Sequence, residues 1–231
     1  MSEFENEFTK YKNMITRAYV EYSIINAATH NRVFNQTTDM DLHFSVFQIR
    51  ETVPIEWFSN STICPEPFFY DLGRNITIGE ENHLIGTILD TNTTSVSISQ
   101  VSLSQIQQVA HELISERCNE LVLFIPADLA TPLYVETPGV EFDNNLEFLR
   151  VDHANRVQLF LTSKYVRLND LLLVDKSFGE WVFKQGDYSK TLTVQIAQTE
   201  LNNVKVLVKT QVAYNILRPE AVRIIKLTAN N

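Results

Sequence analysis

His111 and Glu112 begin the run His-Glu-Leu-Ile-Ser115, one ligand short of a helical zinc site. In the complete motif two imidazoles one helical turn apart hold the metal, and the glutamate acts as base. Here the second ligand position is Ser115, so the expectation is polar residues on the outer face of a helix. Asp152-His153 fails as a catalytic dyad, because neighbours on a strand point to opposite faces. No Gly-x-Ser-x-Gly elbow accompanies it. Asp39 with Asp41, and Asp170 with Asp175, are carboxylate pairs in expected loops. The first pair would hold Mg²⁺ or Ca²⁺ only if more oxygens converged on it, so solvated loop is the expectation. Cys64 and Cys118 form no Cys-x-x-Cys pair and read as free thiols. Cys118 follows a helix end, where the dipole does not favour a thiolate, and is expected as a buried structural thiol. Six glycines, with neither a dinucleotide-binding fingerprint nor a P-loop, complete the negative result. The sequence names no catalytic, cofactor-binding or metal-ligating residue.

The chain has 231 residues, 44% of them hydrophobic, enough to bury a large core. Its net charge of −9 is uneven: residues 1–100 hold 13 acids and 6 bases, residues 101–231 hold 15 and 13. Direct grip on nucleic acid needs clustered Lys and Arg, which this dispersed acidic balance does not offer. No apolar run reaches the roughly 18 residues of a membrane span, and the acidic Met1-Ser-Glu-Phe-Glu-Asn-Glu7 has no secretory pattern. A cytoplasmic setting without membrane partners is expected.

Periodicity supplies the elements. Phe4, Phe8, Tyr11, Ile15, Ala18, Tyr22 and Ile25 recur at steps of four and three, predicting a helix over 3–27. Residues 31–41 are polar and read as loop, and Leu42 to Ile49 as a strand. Residues 54–73 carry three prolines with Trp57, Phe58, Phe68 and Phe69 and read as irregular, side-chain-packed chain. Asn75–Ile78 and His83–Leu89 read as a β-hairpin around Gly79-Glu-Glu-Asn82. The Thr/Ser/Asn-rich stretch 90–97 reads as a boundary. Ser102 with Gln105 makes a capping box, and Ile106, Val109, Ala110, Leu113 and Ile114 give the helix that follows its buried stripe. Leu121–Ile125 is apolar throughout and reads as a buried strand ended by Pro126. Further strands are predicted at 146–151, 156–162, 171–174, 180–184, 191–197 and 204–213, with a short apolar end at 221–227.

The order of these pieces resembles the Hong Kong 97-type shell proteins, the major capsid proteins of tailed viruses and the encapsulins. The resemblance covers about residues 101–231. It runs through the helix from Ser102, Phe124-Ile-Pro-Ala-Asp-Leu-Ala130, Asn169-Asp-Leu-Leu-Leu-Val-Asp-Lys-Ser177, Leu192-Thr-Val-Gln-Ile196, and the closing strand with Arg218-Pro-Glu-Ala-Val222. It implies an α+β Hong Kong 97-like fold: residues 1–30 an N-terminal helical arm, 31–100 a β-hairpin extension (about 75–90) with a reduced peripheral domain, and 101–231 the A-domain. The family's long spine helix, between hairpin and A-domain, is not expected here. The implied function is structural: self-assembly through pentamers and hexamers into an icosahedral shell around viral DNA, without sequence-specific contact and without a cofactor or metal. The implied setting is a virion assembled in a host cytoplasm. An encapsulin-like cytoplasmic compartment around a cargo enzyme is the first alternative, and a small α/β enzyme built on 101–135 the second. Subunit-contact candidates are the stripe Phe4, Phe8 and Tyr11 and the aromatic segment Trp57, Phe58, Phe68 and Phe69.

Overall fold

The structure, a computed structural model, describes residues 3–23, 30–33, 41–59, 63–91, 94–136, 141–143, 146–150, 156–162, 170–183, 192–200 and 202–228. In chain order the elements are α1 (Glu3–Tyr22), β1 (His30–Val33), β2 (Ser45–Pro54), a 3-10 turn (Ile55–Phe58), α2 (Glu66–Asp90), β3 (Thr94–Ile98), α3 (Leu103–Ser115), β4 (Leu121–Pro126) and α4 (Ala127–Glu136). Then come β5 (Glu141–Asp143), β6 (Leu146–Arg150), β7 (Arg156–Thr162), β8 (Leu171–Asp175), β9 (Gly179–Phe183), β10 (Thr193–Glu200), β11 (Asn203–Ile216) and β12 (Val222–Leu227). The chain forms two units, one of Met1–Ile24, Asn31–Glu80 and Trp181–Tyr214, the other of Ile25–His30, Glu81–Glu180 and Asn215–Asn231.

In the first unit, β11 is flanked by β10 on one side and β2 on the other, both antiparallel. Val204, Val206, Val208 and Val212 point inward and are buried, whereas Lys205 is exposed and Lys209 and Gln211 half-buried, as the alternation predicts. α1 packs on β10 and against the N-terminal half of α2. Tyr11, Ile15 and Ala18 of its predicted stripe are buried, but Tyr22 is 39% exposed, and the described helix ends there. Phe4 belongs to α1; its side chain and Ile25 lie outside the described residues.

α2 overturns three expectations at once. Residues 75–90 are helix, not hairpin. Residues 66–73 are helix, not irregular chain. And a 25-residue helix precedes the A-domain-like segment, where no spine helix was expected. Pro67 is tolerated because a first-turn N–H has no helical partner in any case. Gly79 is not in a turn: a Cβ there would come within 2.8 Å of the Phe47 ring, and one on Gly73 within 2.2 Å of the Ile15 carbonyl oxygen. Both glycines are packing notches. Phe69, Leu72, Ile76, Leu84 and Ile88 form a helical stripe that is interrupted by a carboxylate, Glu80, at a fully buried position.

The second unit is a seven-stranded mixed sheet, β3-β12-β8-β4-β7-β6-β5. β4 runs antiparallel to β8 and parallel to β7, and Leu121–Ile125 is buried as predicted. Ser102 caps α3 by accepting from the Gln105 backbone N–H at 3.4 Å. The Gln105 side chain bonds Ser99 instead of reaching back to the cap, so the capping box is half made. α4, unforeseen, starts directly after Pro126 and packs on β4, β7 and α3. The strands β1, β3 and β5 were also missed; β3, in the stretch read as a boundary, pairs in parallel with β12. The expected division at 100/101 is not where the units part. Residues 181–214 belong with β2 and α1, because their ladder partners lie some 150 residues earlier, a pairing that periodicity cannot reveal.

Candidate functional site

Trp57 and Phe58 come from the 3-10 turn after β2, Phe68 and Phe69 from the first turn of α2, and Phe8 and Tyr11 from α1. These elements converge within the first unit on one aromatic cluster. Tyr11 and Phe69 stack with ring centroids 4.2 Å apart and an interplanar angle of 19°. Phe58 meets Phe8 edge-on at 4.8 Å and Tyr11 at 5.4 Å. Trp57 packs edge-on against Phe68 at 5.2 Å. Each such pair is worth about 0.5–1.5 kcal/mol beyond its buried area.

Burial separates the candidates into two sets. Tyr11, Phe58 and Phe69 are at most 2% exposed, so they fill the chain's own core and offer a neighbour nothing. Phe8, Trp57 and Phe68 are half-buried and keep ring surface at the edge of the cluster. Sequence placed all of them on one surface because it shows which residues are apolar, not which faces other segments cover.

A polar rim surrounds the cluster. Glu66 accepts from Lys10 Nζ at 2.7 Å and from the exposed Cys64 thiol at 2.9 Å. These hydrogen bonds, Cys64's first, hold its carboxyl down at about 2. The same carboxylate pushes the Cys64 thiol up. Tyr70 Oη donates to Glu21 at 2.6 Å, and Arg74 lies over the Tyr22 ring at 5.2 Å. Burial pushes the Tyr11 phenol up to about 12.

The outward face of the β2-β11-β10 sheet has a different character. Lys205 stands between Thr52 and Ala197, Leu207 between Arg50 and Gln195, and Lys209 between Gln48 and Thr193. A cavity of about 410 Å³ opens on this face, lined by Arg50, Thr52, Gln195, Ala197, Lys205 and Leu207 among others.

In the second unit a cavity of about 200 Å³ is lined by Arg117, Asn119, Glu120, Asp175, Ser177 and Arg218. Asp175, expected in a loop, ends β8 instead and is buried. It accepts from the backbone N–H groups of Glu120 and Ser177, both at 2.9 Å, and from the Ser177 hydroxyl, while Arg218 donates to that hydroxyl at 2.9 Å. Three donors on one carboxylate make a fixed turn. His111 and Glu112 are exposed on the outer face of α3, as expected. Cys118 is buried and Asp41 exposed; Asp39, Asp152 and His153 lie outside the described residues. No helix is long and apolar enough to cross a membrane, and no three metal-ligating side chains gather, among the described residues.

No protein-family profile matches the chain, and no curated protein sequence is similar to it. Solved structures are. A virus-like particle from Pyrococcus furiosus matches with a TM-score of 0.68 at 14% identity, over 94% of this chain and 98% of that one. The holo-SrpI encapsulin complex from Synechococcus elongatus PCC 7942 matches at 0.54 and 10% identity, over 81% and 75%. The capsid of Cyanophage P-SCSP1u matches at 0.53 and 9% identity, over 87% and 81%. The chain therefore has the α+β, Hong Kong 97-like fold of capsid and encapsulin shell proteins.

Proposed function

We propose that the chain is the repeating subunit of a closed icosahedral shell, formed by self-association into pentamers and hexamers, with a structural and non-catalytic role. One observation carries this reading: the match to the virus-like particle subunit runs nearly end to end in both chains, at a TM-score of 0.68. The fold is shared as a whole and not as a common sub-domain. Phe8, Trp57 and Phe68 keep apolar ring surface at the rim of the aromatic cluster, and we assign them to subunit contacts. Tyr11, Phe58 and Phe69 support those contacts from beneath.

For the contents we favour viral DNA, held without sequence-specific contact, in a virion assembled in a host cytoplasm. A net charge of −9 suits a container that does not grip its polyanionic content. The compartment reading, a cytoplasmic shell around a cargo enzyme, is favoured by the encapsulin match, whose TM-score of 0.54 equals the phage capsid's 0.53 for practical purposes.

The test is the mass of the purified protein by light scattering, with negative-stain imaging. Closed particles of megadalton mass are expected; a monomer or dimer at high concentration overturns the shell reading. The ultraviolet spectrum and protein content of the particles then separate the two fillings. Nucleic acid supports the virion, and a second protein in fixed ratio supports the compartment.

A further inference from the structure

Helix α3 closes on a residue that helix ends seldom carry. Arg117 has a φ of 68° and is the one non-glycine residue with positive φ among the described residues. The Cys118 backbone N–H donates to the Leu113 carbonyl oxygen at 3.2 Å, and that of Arg117 donates to Ile114 at 3.0 Å. This pair of bonds is the left-handed helix ending in which glycine normally stands where Arg117 does. A Cβ in that conformation crowds the carbonyl oxygen that follows it, so arginine lowers stability where glycine would not. Backbone strain of this kind gathers at functional positions.

The charged groups at this end of the second unit are otherwise matched within the chain. Lys176 pairs with Glu120 at 3.9 Å, Arg218 with Glu220 at 3.0 Å and Arg223 with Glu116 at 2.7 Å. Asp175 has its two backbone donors and the Ser177 hydroxyl. Arg117 is exposed, lines the same 200 Å³ cavity as Arg218, and alone among these groups has no side-chain hydrogen bond or ion pair to a described residue. Leu217, which precedes Arg218 in the chain, is 52% exposed, more than any other large apolar side chain among the described residues. A strained, unmatched cation and the most exposed leucine thus flank one cavity.

We propose that Arg117 is a subunit-contact residue that binds a carboxylate on a second copy of this chain, with Leu217 as the apolar part of the same contact. The proposal rests on the shell reading. Charge complementarity selects a second copy as the occupant. The chain has 28 acidic residues against 19 basic ones, so the surface that another copy brings is mostly acidic. Pentamers and hexamers close through contacts between unlike patches, which lets a basic patch on one copy meet an acidic one on the next. A guanidinium suits the task. It offers a carboxylate a planar fork of donors and is less strongly hydrated than an ammonium.

The test is Arg117→Gly, which removes the strain and the guanidinium together. If Arg117 serves only the helix end, glycine improves that end and changes nothing else. If it serves a contact, the fold gains and assembly loses. Below the concentration at which particles form, Arg117→Gly should melt about 2–4 °C above wild type. By light scattering it should need on the order of 10-fold more protein to give particles. Raising sodium chloride from about 50 mM to about 500 mM should weaken wild-type assembly and affect Arg117→Gly much less. Arg117→Lys keeps the charge without the fork and should fall between the two. Leu217→Ser, at an exposed position, should melt as wild type does and also weaken assembly. Arg117→Gly particles forming at the wild-type concentration overturn the contact alone. So does an Arg117→Gly chain that melts below wild type, because its assembly defect is then a folding defect. Arg117→Gly particles of normal yield that have lost nucleic acid or a companion protein assign the guanidinium to the contents and overturn the contact as well. A wild-type chain that gives no particles overturns the shell reading, and the contact with it.

Discussion

A Cβ placed on Gly73 would lie 2.2 Å from the carbonyl oxygen of Ile15 and 2.9 Å from the Ala18 Cβ, so α1 and α2 touch backbone to backbone at this glycine. Neither obstacle is the flexible end of a side chain. Gly73→Ala must push the helices apart, at about 1–3 kcal/mol by the cost of overpacking. The melting temperature should fall by about 2–4 °C per kcal/mol, read by thermal unfolding. In an open helix the same change would stabilise, so the sign decides whether the notch is real.

Glu80 makes global stability depend on pH as well. Burial pushes its folded value up to about 7, above the ordinary 4.5 of a glutamate in the unfolded chain. The folded chain therefore binds the proton more tightly than the unfolded chain. The group's contribution is complete below about 4.5 and is lost as pH rises toward 7, about 3 kcal/mol in all. Urea unfolding at about pH 5 and about pH 8 should show that loss in wild type and not in Glu80→Gln.

Phe69 and Phe68 are adjacent but differently buried, the first 0% exposed and the second half-buried. Phe69→Ala should cost about 3–5 kcal/mol of stability, and Phe68→Ala about 1. Assembly should reverse the order of importance. Phe68→Asp and Phe8→Asp should fold yet fail to give full-size particles by light scattering. Normal particles from both would remove these residues from the contact surface.

Arg223, on β12, donates to Glu116 Oε1 at 2.7 Å and to the Glu220 and Val222 carbonyl oxygens, with its side chain 7% exposed and that of Glu116 45%. Arg223→Ala should cost about 2–4 kcal/mol, chiefly in lost packing and stranded carbonyls. Glu116→Ala should cost about 1, since two carbonyls still face the cation. A double-mutant cycle by chemical denaturation measures the coupling.

The two thiols differ in access. Cys64 is exposed and Cys118 buried. One thiol per chain should react with a disulfide reagent before unfolding, and two after. The Glu66 hydrogen bond raises the Cys64 thiol, so Glu66→Gln should speed the native reaction at neutral pH.

By itself the sequence determined whatever a local pattern can encode. The stripe of α3, its Ser102 cap, the buried run of β4 and the alternation of β11 all follow from side-chain spacing against a fixed helix or strand period. The order of those pieces was enough to point to the Hong Kong 97-like fold. Tertiary structure decided the rest. α2 was hidden because Gly79, read as a hairpin turn, and Gly73, read as the end of an irregular segment, serve as notches for Phe47 and α1, and because Glu80 breaks the apolar stripe. Local propensity for a turn lost to the burial of that stripe. The division into two units rests on ladders between β11 and β2, residues remote in sequence that share no local signal. Which aromatics stay at the surface was settled likewise, by whether another segment happened to cover them.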